Sequence, residues 1–220
     1  MKILCVSDHI DPLIYTNSIR ERFSDVDMIL AAGDLPLDYL DFIVSSLNKP
    51  AFFIFGNHHL RDYTKFCGKD ELCKPENADD VYFGPGAAHL GSKVMTENGV
   101  IVAGLGGCMK YNNEKNQYTE FRMKMEIAKI IPALFCNRIF RGRYLDILLT
   151  HASPRGIHDR EDKCHQGFSS FLWFMRVFRP RFLVHGHIHL YDMSEVRTTR
   201  YENTTVINAY GHYLLNTEDS

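Results

Sequence analysis

Aspartate, asparagine and histidine recur in this sequence at positions that directly follow short apolar runs. Carboxylate, amide oxygen and imidazole together suit Mn, Fe or Zn rather than a metal selected by thiolates. Two such metals, held about 3.5–4 Å apart by a shared carboxylate, can lower the pKa of a bound water and stabilise a phosphoryl group during displacement. These residues therefore predict a two-metal centre suited to phosphoester hydrolysis. The candidates in chain order are Asp8, Asp34, Asn57, His58, His151, His187 and His189.

The apolar runs before these residues are typical of buried β-strands. Ligands of α/β sheets bind at the carboxyl ends of the strands, so we expect residues that span most of the sequence to converge in space. His187 and His189 stand two positions apart on an extended segment, point to the same side, and could each serve one metal. The predicted strands are Ile3–Val6, Met28–Ala32, Ala51–Phe55, Val100–Ala103, Leu145–Leu149, Phe182–Val184 and Thr204–Ile207. The predicted helices are Asp38–Leu47, Thr119–Phe135 with Thr119 as N-cap, and Gln166–Phe178.

Length and composition place limits on the kind of protein. The chain has 220 residues and a net charge of −2, which fits one α/β domain over residues 1–220 and does not demand nucleic acid or an anionic membrane as a partner. No run approaches the roughly 18 apolar residues of a membrane span, so we expect no membrane partner. Six cysteines are scattered without a C-x-x-C pair, which indicates reduced thiols and a cytoplasmic location. A link between Cys67 and Cys73 has no support.

The candidate residues belong to motifs that occur in a fixed order. These motifs are Asp8, Gly33-Asp34, Gly56-Asn57-His58, Thr150-His151 and Gly186-His187-Ile188-His189. Over residues 3–189, the sequence resembles the calcineurin-like metallophosphoesterases. Further motifs resemble a bacterial subgroup of small family members. The subgroup motifs are Ser7-Asp8-x-x-Asp11-Pro12, Gly104-Leu105-Gly106-Gly107, Asn116-Gln117-Tyr118 and Val206-Ile207-Asn208-Ala209-Tyr210-Gly211.

The resemblance implies a fold and an activity. The implied fold is α/β, a four-layer αββα sandwich of the metallophosphoesterase type with its site at the strand carboxyl ends. The implied reaction is hydrolysis of a phosphodiester or phosphomonoester by a hydroxide that bridges two ions of Mn, Fe or Zn. We expect the substrate to be a small-molecule or nucleotide phosphoester.

The resemblance also implies a role for each matching residue. Asp34 would bridge both metals, and Asp8 and His189 would bind the first metal. The second metal would be held by Asn57, His151 and His187. His58 would stand beside the substrate and donate to a phosphoryl oxygen or protonate the leaving group, because the ordinary pKa of histidine lies near working pH.

Two positions depart from the family pattern. The family has a metal-binding histidine where this chain has Ile10, and the available substitutes are His9 and Asp11. We prefer Asp11, because a turn at Asp11-Pro12 could bring it round, whereas His9 would project away from Asp8 on an extended segment. The second departure is His59, which stands where the family usually has an acid that orients the catalytic histidine.

Four further features lie around the motifs. Arg155 follows the His151 motif and could bind a phosphate, or it could be an ordinary exposed arginine. Arg61 likewise could touch substrate. The loop Lys110–Gln117 could overhang the site, and His185 is interpreted as a structural or supporting residue rather than a ligand.

Two other classes of protein remain open. A scaffold with the same fold and weak or no activity is favoured by Ile10 and His59 but opposed by His58, which a scaffold does not need. A nuclease is less favoured, because the chain is slightly acidic and has no added basic domain. The oligomeric state, the metal, and the choice between monoester and diester stay open.

Overall fold

Two β-sheets lie face to face in the computed structural model of this protein, which describes residues 1–60, 63, 66, 86–192 and 194–218. The first sheet has the strand order β13-β1-β2-β3-β4, and the second has the order β11-β12-β10-β9-β6-β5. A short pair, β7-β8, stands apart from both. The strands are β1 (Lys2–Ser7), β2 (Met28–Ala31), β3 (Ala51–Phe53), β4 (Ala88–His89), β5 (Lys93–Glu97), β6 (Val100–Leu105), β7 (Cys108–Met109), β8 (Gln117–Tyr118), β9 (Ile147–Thr150), β10 (Phe182–His185), β11 (Thr198–Tyr201), β12 (Thr204–Asn208) and β13 (Gly211–Asn216).

Both sheets are mainly parallel, with an antiparallel strand at one margin of the first sheet and at both margins of the second. In the first sheet β1, β2, β3 and β4 run parallel, and β13 is antiparallel to β1. In the second sheet β12, β10, β9 and β6 run parallel, while β11 and β5 are antiparallel additions. The parallel strands of each sheet therefore end along one edge, where their following residues can meet.

Helices cover the outer face of each sheet. The helices are α1 (Ile19–Phe23), α2 (Leu37–Leu47), α3 (Glu120–Arg141) and α4 (Ser169–Phe178). Helices α1 and α2 pack on the first sheet, and α3 and α4 pack on the second. Within the described ranges, no helix is both long and apolar enough to cross a bilayer.

The alternation of side chains along β1 shows how the layers are built. Ile3 and Cys5 point between the sheets and join a core that includes Ile147 from β9. Leu4 and Val6 point outward into the core shared with the first pair of helices. Each fully buried aliphatic side chain of this kind contributes about 1.5–3 kcal/mol. The layers are thus helix, sheet, sheet and helix, and the predicted αββα sandwich is confirmed.

The longest helix differs from its predicted extent. Thr119 caps α3 as predicted, since its hydroxyl accepts a hydrogen bond from the Arg122 N–H at 3.3 Å. The helix continues beyond Phe135 to Arg141, although Pro132 lies inside it. Its buried stripe extends to Leu134, so packing against the second sheet holds the helix together through the proline.

Candidate metal centre

The predicted ligands stand at the shared edge where the parallel strands of both sheets end. Asp8, Asp34 and Asn57 follow β1, β2 and β3 of the first sheet. His151 and His187 follow β9 and β10 of the second sheet. The site is therefore assembled across the interface between the two sheets, with carboxylates and an amide from one side and imidazoles from the other.

One group of side chains already has the arrangement of a metal site. Asp34, His151 and His187 each offer a ligand atom, and these atoms all lie within 4.8 Å of one another. His151 Nε2 lies 3.2 Å from Asp34 Oδ2 and 3.1 Å from Asn57 Oδ1. The set matches the ligands that the resemblance assigns to the second metal.

Hydrogen bonds from the backside of both imidazoles determine which nitrogen faces the site. His151 Nδ1 lies 2.8 Å from the Ala32 carbonyl, and His187 Nε2 lies 2.6 Å from the Cys164 carbonyl. A carbonyl can only accept, so both of these nitrogens carry the proton. The opposite nitrogen of His151, Nε2, faces the oxygens of Asp34 and Asn57. In the metal-free protein the nearby carboxylates favour a proton on this nitrogen, and a metal ion would take the place of that proton. Carboxylate, amide and imidazole together fit Mn, Fe or Zn.

Asp8 forms the other half of the centre. Its Oδ2 accepts a hydrogen bond from the His187 backbone N–H at 2.9 Å. Its Oδ1 is buried and has no hydrogen-bond partner among the described residues. His189 Nε2 lies 3.9 Å from that oxygen. Because metal–ligand bonds are about 2.0–2.2 Å long, the gap between these two atoms admits one metal, and the unpartnered oxygen fits the role of its ligand.

The electrostatics of the cluster favour positive charge. Burial raises the pKa of Asp8. Burial acts in the same direction on Asp34, but the facing His151 holds the pKa of Asp34 well below its ordinary value. Burial disfavours a charged His151, yet Asp34 and then Asp8 raise its pKa to about 9. Burial, with the neighbouring His151, lowers the pKa of His187 to about 3, which keeps its lone pair available.

The backbone bends sharply at the ligands. Asp8, Asp34 and His187 have φ values of 62°, 56° and 65°. These values lie in the left-handed region, which residues other than glycine rarely adopt. Glycines let the chain approach: a Cβ on Gly56 would lie 2.2 Å from Asp34 Oδ1, and one on Gly186 would lie 2.3 Å from Asp8 Oδ2. The glycines of the G-N-H and G-H-x-H motifs are therefore needed for space.

His58 lies beside the cluster with its side chain in solvent. Its backbone N–H donates to Asp34 Oδ1 at 2.7 Å, which ties its position to that of the predicted bridging carboxylate. The residue itself is exposed, as is His59, which has a φ of 51°. A group that faces solvent next to the metal ligands is accessible to a substrate, so this placement is compatible with the predicted role of His58.

The contacts of His9 and Asp11 do not decide which of them takes the place of the histidine that the family has at position 10. Both oxygens of Asp11 are engaged, since Oδ2 lies 2.6 Å from His212 Nδ1 and Oδ1 accepts from the Leu13 N–H at 2.8 Å. The His9 ring stacks on Tyr210 with the ring centroids 5.9 Å apart. The Tyr210 ring in turn lies 4.9 Å from that of His189. The role of Asp11 as a metal ligand therefore stays a prediction.

Arg155 is held by carboxylates of its own loop. Its guanidinium lies 3.0 Å from Asp159 and 3.2 Å from Glu161. A role for Arg155 in substrate binding stays a prediction, and it requires the guanidinium to exchange at least one of these partners. Arg61, the other candidate, and the pair Cys67 and Cys73 lie outside the described residues.

His185 takes the supporting position predicted for it. It is buried, and its Nδ1 donates to the Gly186 carbonyl at 2.9 Å. Its Nε2 then accepts from His158 Nδ1 at 2.9 Å, and His158 Nε2 accepts from the Thr199 hydroxyl at 2.8 Å. The chain of hydrogen bonds fixes the segment that leads from β10 to the metal ligands.

Two residues of the loop Lys110–Gln117, Tyr111 and Asn116, support the site. Asn116 belongs to a motif noted in the sequence, although no role was predicted for it, and Tyr111 was not singled out. The Tyr111 hydroxyl accepts from Asn57 Nδ2 at 3.3 Å, which leaves Asn57 Oδ1 facing His151. Asn116 Nδ2 donates to the carbonyls of Phe55 at 3.0 Å and Gly56 at 2.6 Å. These contacts place part of the loop beside the site, and the prediction that the loop overhangs it stays a prediction.

Comparisons with known proteins agree with the geometry. A family profile described as calcineurin-like phosphoesterase matches residues 1–191. The chain therefore belongs to the calcineurin-like phosphoesterase family.

Solved structures show the same fold. The crystal structure of TT1561 of Thermus thermophilus is similar with a TM-score of 0.64 and 15% identity, over 99% of this chain and 94% of that chain. Another crystal structure is similar with a TM-score of 0.60 and 14% identity, over 96% of this chain and 90% of that chain. At such identities the likeness shows the fold alone. None of the curated protein sequences matches this chain significantly.

Proposed function

We propose that this protein hydrolyses a phosphodiester or phosphomonoester of a small molecule or nucleotide, using two ions of Mn, Fe or Zn. The observation that carries the proposal is the convergence of buried ligand atoms. Asp8 Oδ1 has no hydrogen-bond partner among the described residues, and the ligand atoms of Asp34, His151 and His187 lie within 4.8 Å of one another. A buried site of this kind is stable with cations bound and unfavourable without them.

The chemistry that two cations supply when bound is positive charge for the phosphoryl oxygens and a lowered pKa for the attacking water. The residues of the chain do the rest. Asp34 draws together the two halves of the site, while the Ala32 and Cys164 carbonyls orient the imidazoles of His151 and His187. His58 reaches into solvent beside them and donates a proton to the leaving oxygen. The described cysteines, Cys5, Cys108, Cys136 and Cys164, are free thiols, which supports a reducing cytoplasm as the compartment of this activity.

The proposal is tested with metal-free protein reconstituted with Mn²⁺, Fe²⁺ or Zn²⁺ in turn. Each sample is assayed on p-nitrophenyl phosphate and on bis-p-nitrophenyl phosphate, which separates monoesterase from diesterase activity. We expect turnover of at least one substrate with at least one metal, and its loss in Asp34→Ala. Equal turnover by the two proteins, or none from a wild type shown to hold two metals, would overturn the proposal.

A scaffold with weak or no activity is the second candidate, and the contacts of Asp11 favour it. That carboxylate is already paired with His212, so the first metal has fewer uncommitted ligands than the second. Metal content per chain discriminates the two functions. Two bound metals support the enzyme, and the absence of metal from protein prepared with all three ions supports the scaffold.

A further inference from the structure

A second cluster of metal-ligating side chains lies on the loop between β9 and α4, and the proposed reaction does not use it. Cys164 Sγ lies 2.8 Å from Asp162 Oδ1 and 3.2 Å from His165 Nδ1. The third side of this triangle, from His165 Nδ1 to Asp162 Oδ1, is 2.8 Å. The cluster differs from the main centre in its chemistry, because it offers a sulfur ligand.

The size of this triangle fits a tetrahedral ion of the zinc type. Zinc bonds of about 2.0–2.3 Å at the tetrahedral angle separate neighbouring ligand atoms by roughly 3.3–3.6 Å. The triangle therefore opens by only about half an ångström to take the ion, which displaces the thiol proton and the imidazole proton that now lie between the three atoms. Thiolate, imidazole and carboxylate together select zinc or cobalt and exclude magnesium and calcium, which prefer oxygen alone.

The backbone holds these ligands in place before any ion arrives. The His165 N–H donates to the carbonyl and to the Oδ1 of Asp162, both at 3.2 Å. The His165 carbonyl accepts from the Arg160 N–H at 3.2 Å. Because the loop is already closed on itself, little conformational freedom is lost when the side chains bind an ion.

The same loop contacts the main centre directly. The Cys164 carbonyl accepts the hydrogen bond from His187 Nε2 at 2.6 Å, and the His165 ring lies 5.2 Å from the His187 ring. An ion bound to Cys164 would thus fix the residue whose carbonyl orients a ligand of the second metal.

We propose that Asp162, Cys164 and His165 form a separate site for a zinc-type ion, with the fourth position open to water or to a substrate oxygen. The site supports the orientation of His187 through the Cys164 carbonyl. Binding at this site does not depend on the proposed hydrolysis, so the two proposals can fail separately.

Cobalt(II) spectroscopy tests the site without any measurement of activity. A thiolate bound to Co²⁺ gives an intense charge-transfer band in the near ultraviolet, and the main centre, with only oxygen and nitrogen ligands, gives none. We expect Co²⁺-loaded protein to show this band. Cys164→Ser should remove it and lower the cobalt content by one ion per chain, and a far-ultraviolet circular dichroism spectrum like that of the wild type would show that the variant is folded.

Two other cysteines serve as matched controls. Cys136 is exposed on α3, and Cys108 is buried on β7. The band should persist in Cys136→Ser and Cys108→Ser, and it should weaken in His165→Ala. The proposal is wrong if the loaded wild type shows no such band, or if the band survives in Cys164→Ser. The first outcome would mean that the three side chains only share hydrogen bonds.

Discussion

The backbone N–H of His187 donates to Oδ2 of Asp8 at 2.9 Å, and this bond joins the ends of β10 and β1 across the two sheets. It uses one oxygen of the carboxylate and leaves the other, Oδ1, buried and unpartnered among the described residues. The same bond places His189, two residues further on, within 3.9 Å of that oxygen. One hydrogen bond therefore sets the geometry of the predicted first metal site and links it to a predicted ligand of the second.

Replacing Asp34 by Asn should greatly weaken metal binding at both predicted sites while the fold is perturbed much less. The amide keeps the size of the side chain but removes the charge that raises the pKa of His151 to about 9. We expect metal affinity to fall by more than about 100-fold, since loss of a supporting contact alone typically lowers it 10- to 100-fold. Isothermal titration with Mn²⁺ measures the change. Asp25→Asn, at an exposed carboxylate paired with Lys2, should bind metal like the wild type.

Replacing His58 by Ala should separate catalysis from metal binding. The residue contributes its backbone N–H to Asp34, and alanine keeps that bond. We expect metal content to stay unchanged and kcat to fall by about 10²–10⁴-fold, the usual contribution of a general acid. The loss should be smaller for a substrate whose leaving group needs no protonation, such as a p-nitrophenyl ester, than for an alkyl phosphoester. An equal loss on both substrates would contradict the assigned role.

Replacing Gly56 by Ala should damage the predicted metal site through steric overlap alone. The new methyl group would lie 2.2 Å from Asp34 Oδ1 and 2.5 Å from the His151 ring. We expect the free energy of unfolding to fall by about 1–3 kcal/mol, and metal affinity to fall with it. Gly99→Ala is the control, because its φ of 81° strains an alanine while no atom stands within 4 Å. That variant should lose stability by about 1 kcal/mol and bind metal normally.

Replacing Asn116 by Ala should loosen the segment before Asn57. The change removes the side-chain donor of the Gly56 carbonyl, whereas the Phe55 carbonyl keeps its bond from the Gly107 N–H at 2.9 Å. A buried acceptor left unsatisfied costs about 1–3 kcal/mol, which urea denaturation of the metal-free protein would detect. Asn137→Ala removes a single bond of 3.4 Å at the end of α3 and should be nearly neutral. Equal losses in the two variants would show that Asn116 has no special role.

The metal-free protein should become less stable in mild acid through His158. Burial lowers the pKa of this residue to about 4, below the ordinary value of 6.5. The unfolded chain therefore takes up a proton on His158 at a higher pH than the folded chain does. The stability that depends on the neutral ring is complete above about pH 6.5 and is lost as the pH falls toward 4. Urea midpoints across this range should fall less steeply for His158→Gln than for the wild type.

Much of the fold could be predicted because the strands are short apolar runs with a polar residue at the end. β1, β2 and β10 lie within a residue or two of their predicted bounds. The extent of α3 was predicted in part, since the predicted helix Thr119–Phe135 already runs through Pro132. Its last residues, up to Arg141, could not be predicted, because none of them is buried against the sheet and no apolar period marks them.

The candidate site could be predicted in its ligand types but not in its support. Spacing placed Asp34, His151 and His187 at strand ends, where the structure brings them together. The carbonyl of Cys164 escaped prediction, because a backbone acceptor has no signature in sequence. Asn116 stood in a noted motif, but its bonds to the carbonyls of Phe55 and Gly56 depend on a long-range approach that the motif does not reveal. For Asp11 the sequence predicted only part of the arrangement. A turn at Pro12 predicts the direction of the Asp11 side chain, but no pattern predicts its pairing with His212.

The left-handed backbone at Asp8, Asp34 and His187 has a consequence for how this sequence can vary. Aspartate, asparagine and histidine tolerate that conformation better than other side chains, and β-branched residues tolerate it worst. A new residue at any of these positions must therefore meet two requirements, since it has to bind metal and has to tolerate the left-handed backbone conformation. Variation that retunes metal preference has few accessible routes here, chiefly exchanges among those three residue types. Adaptation to a new substrate would therefore proceed chiefly through those positions of the surrounding loops that have ordinary backbone conformations and do not contact the ligands.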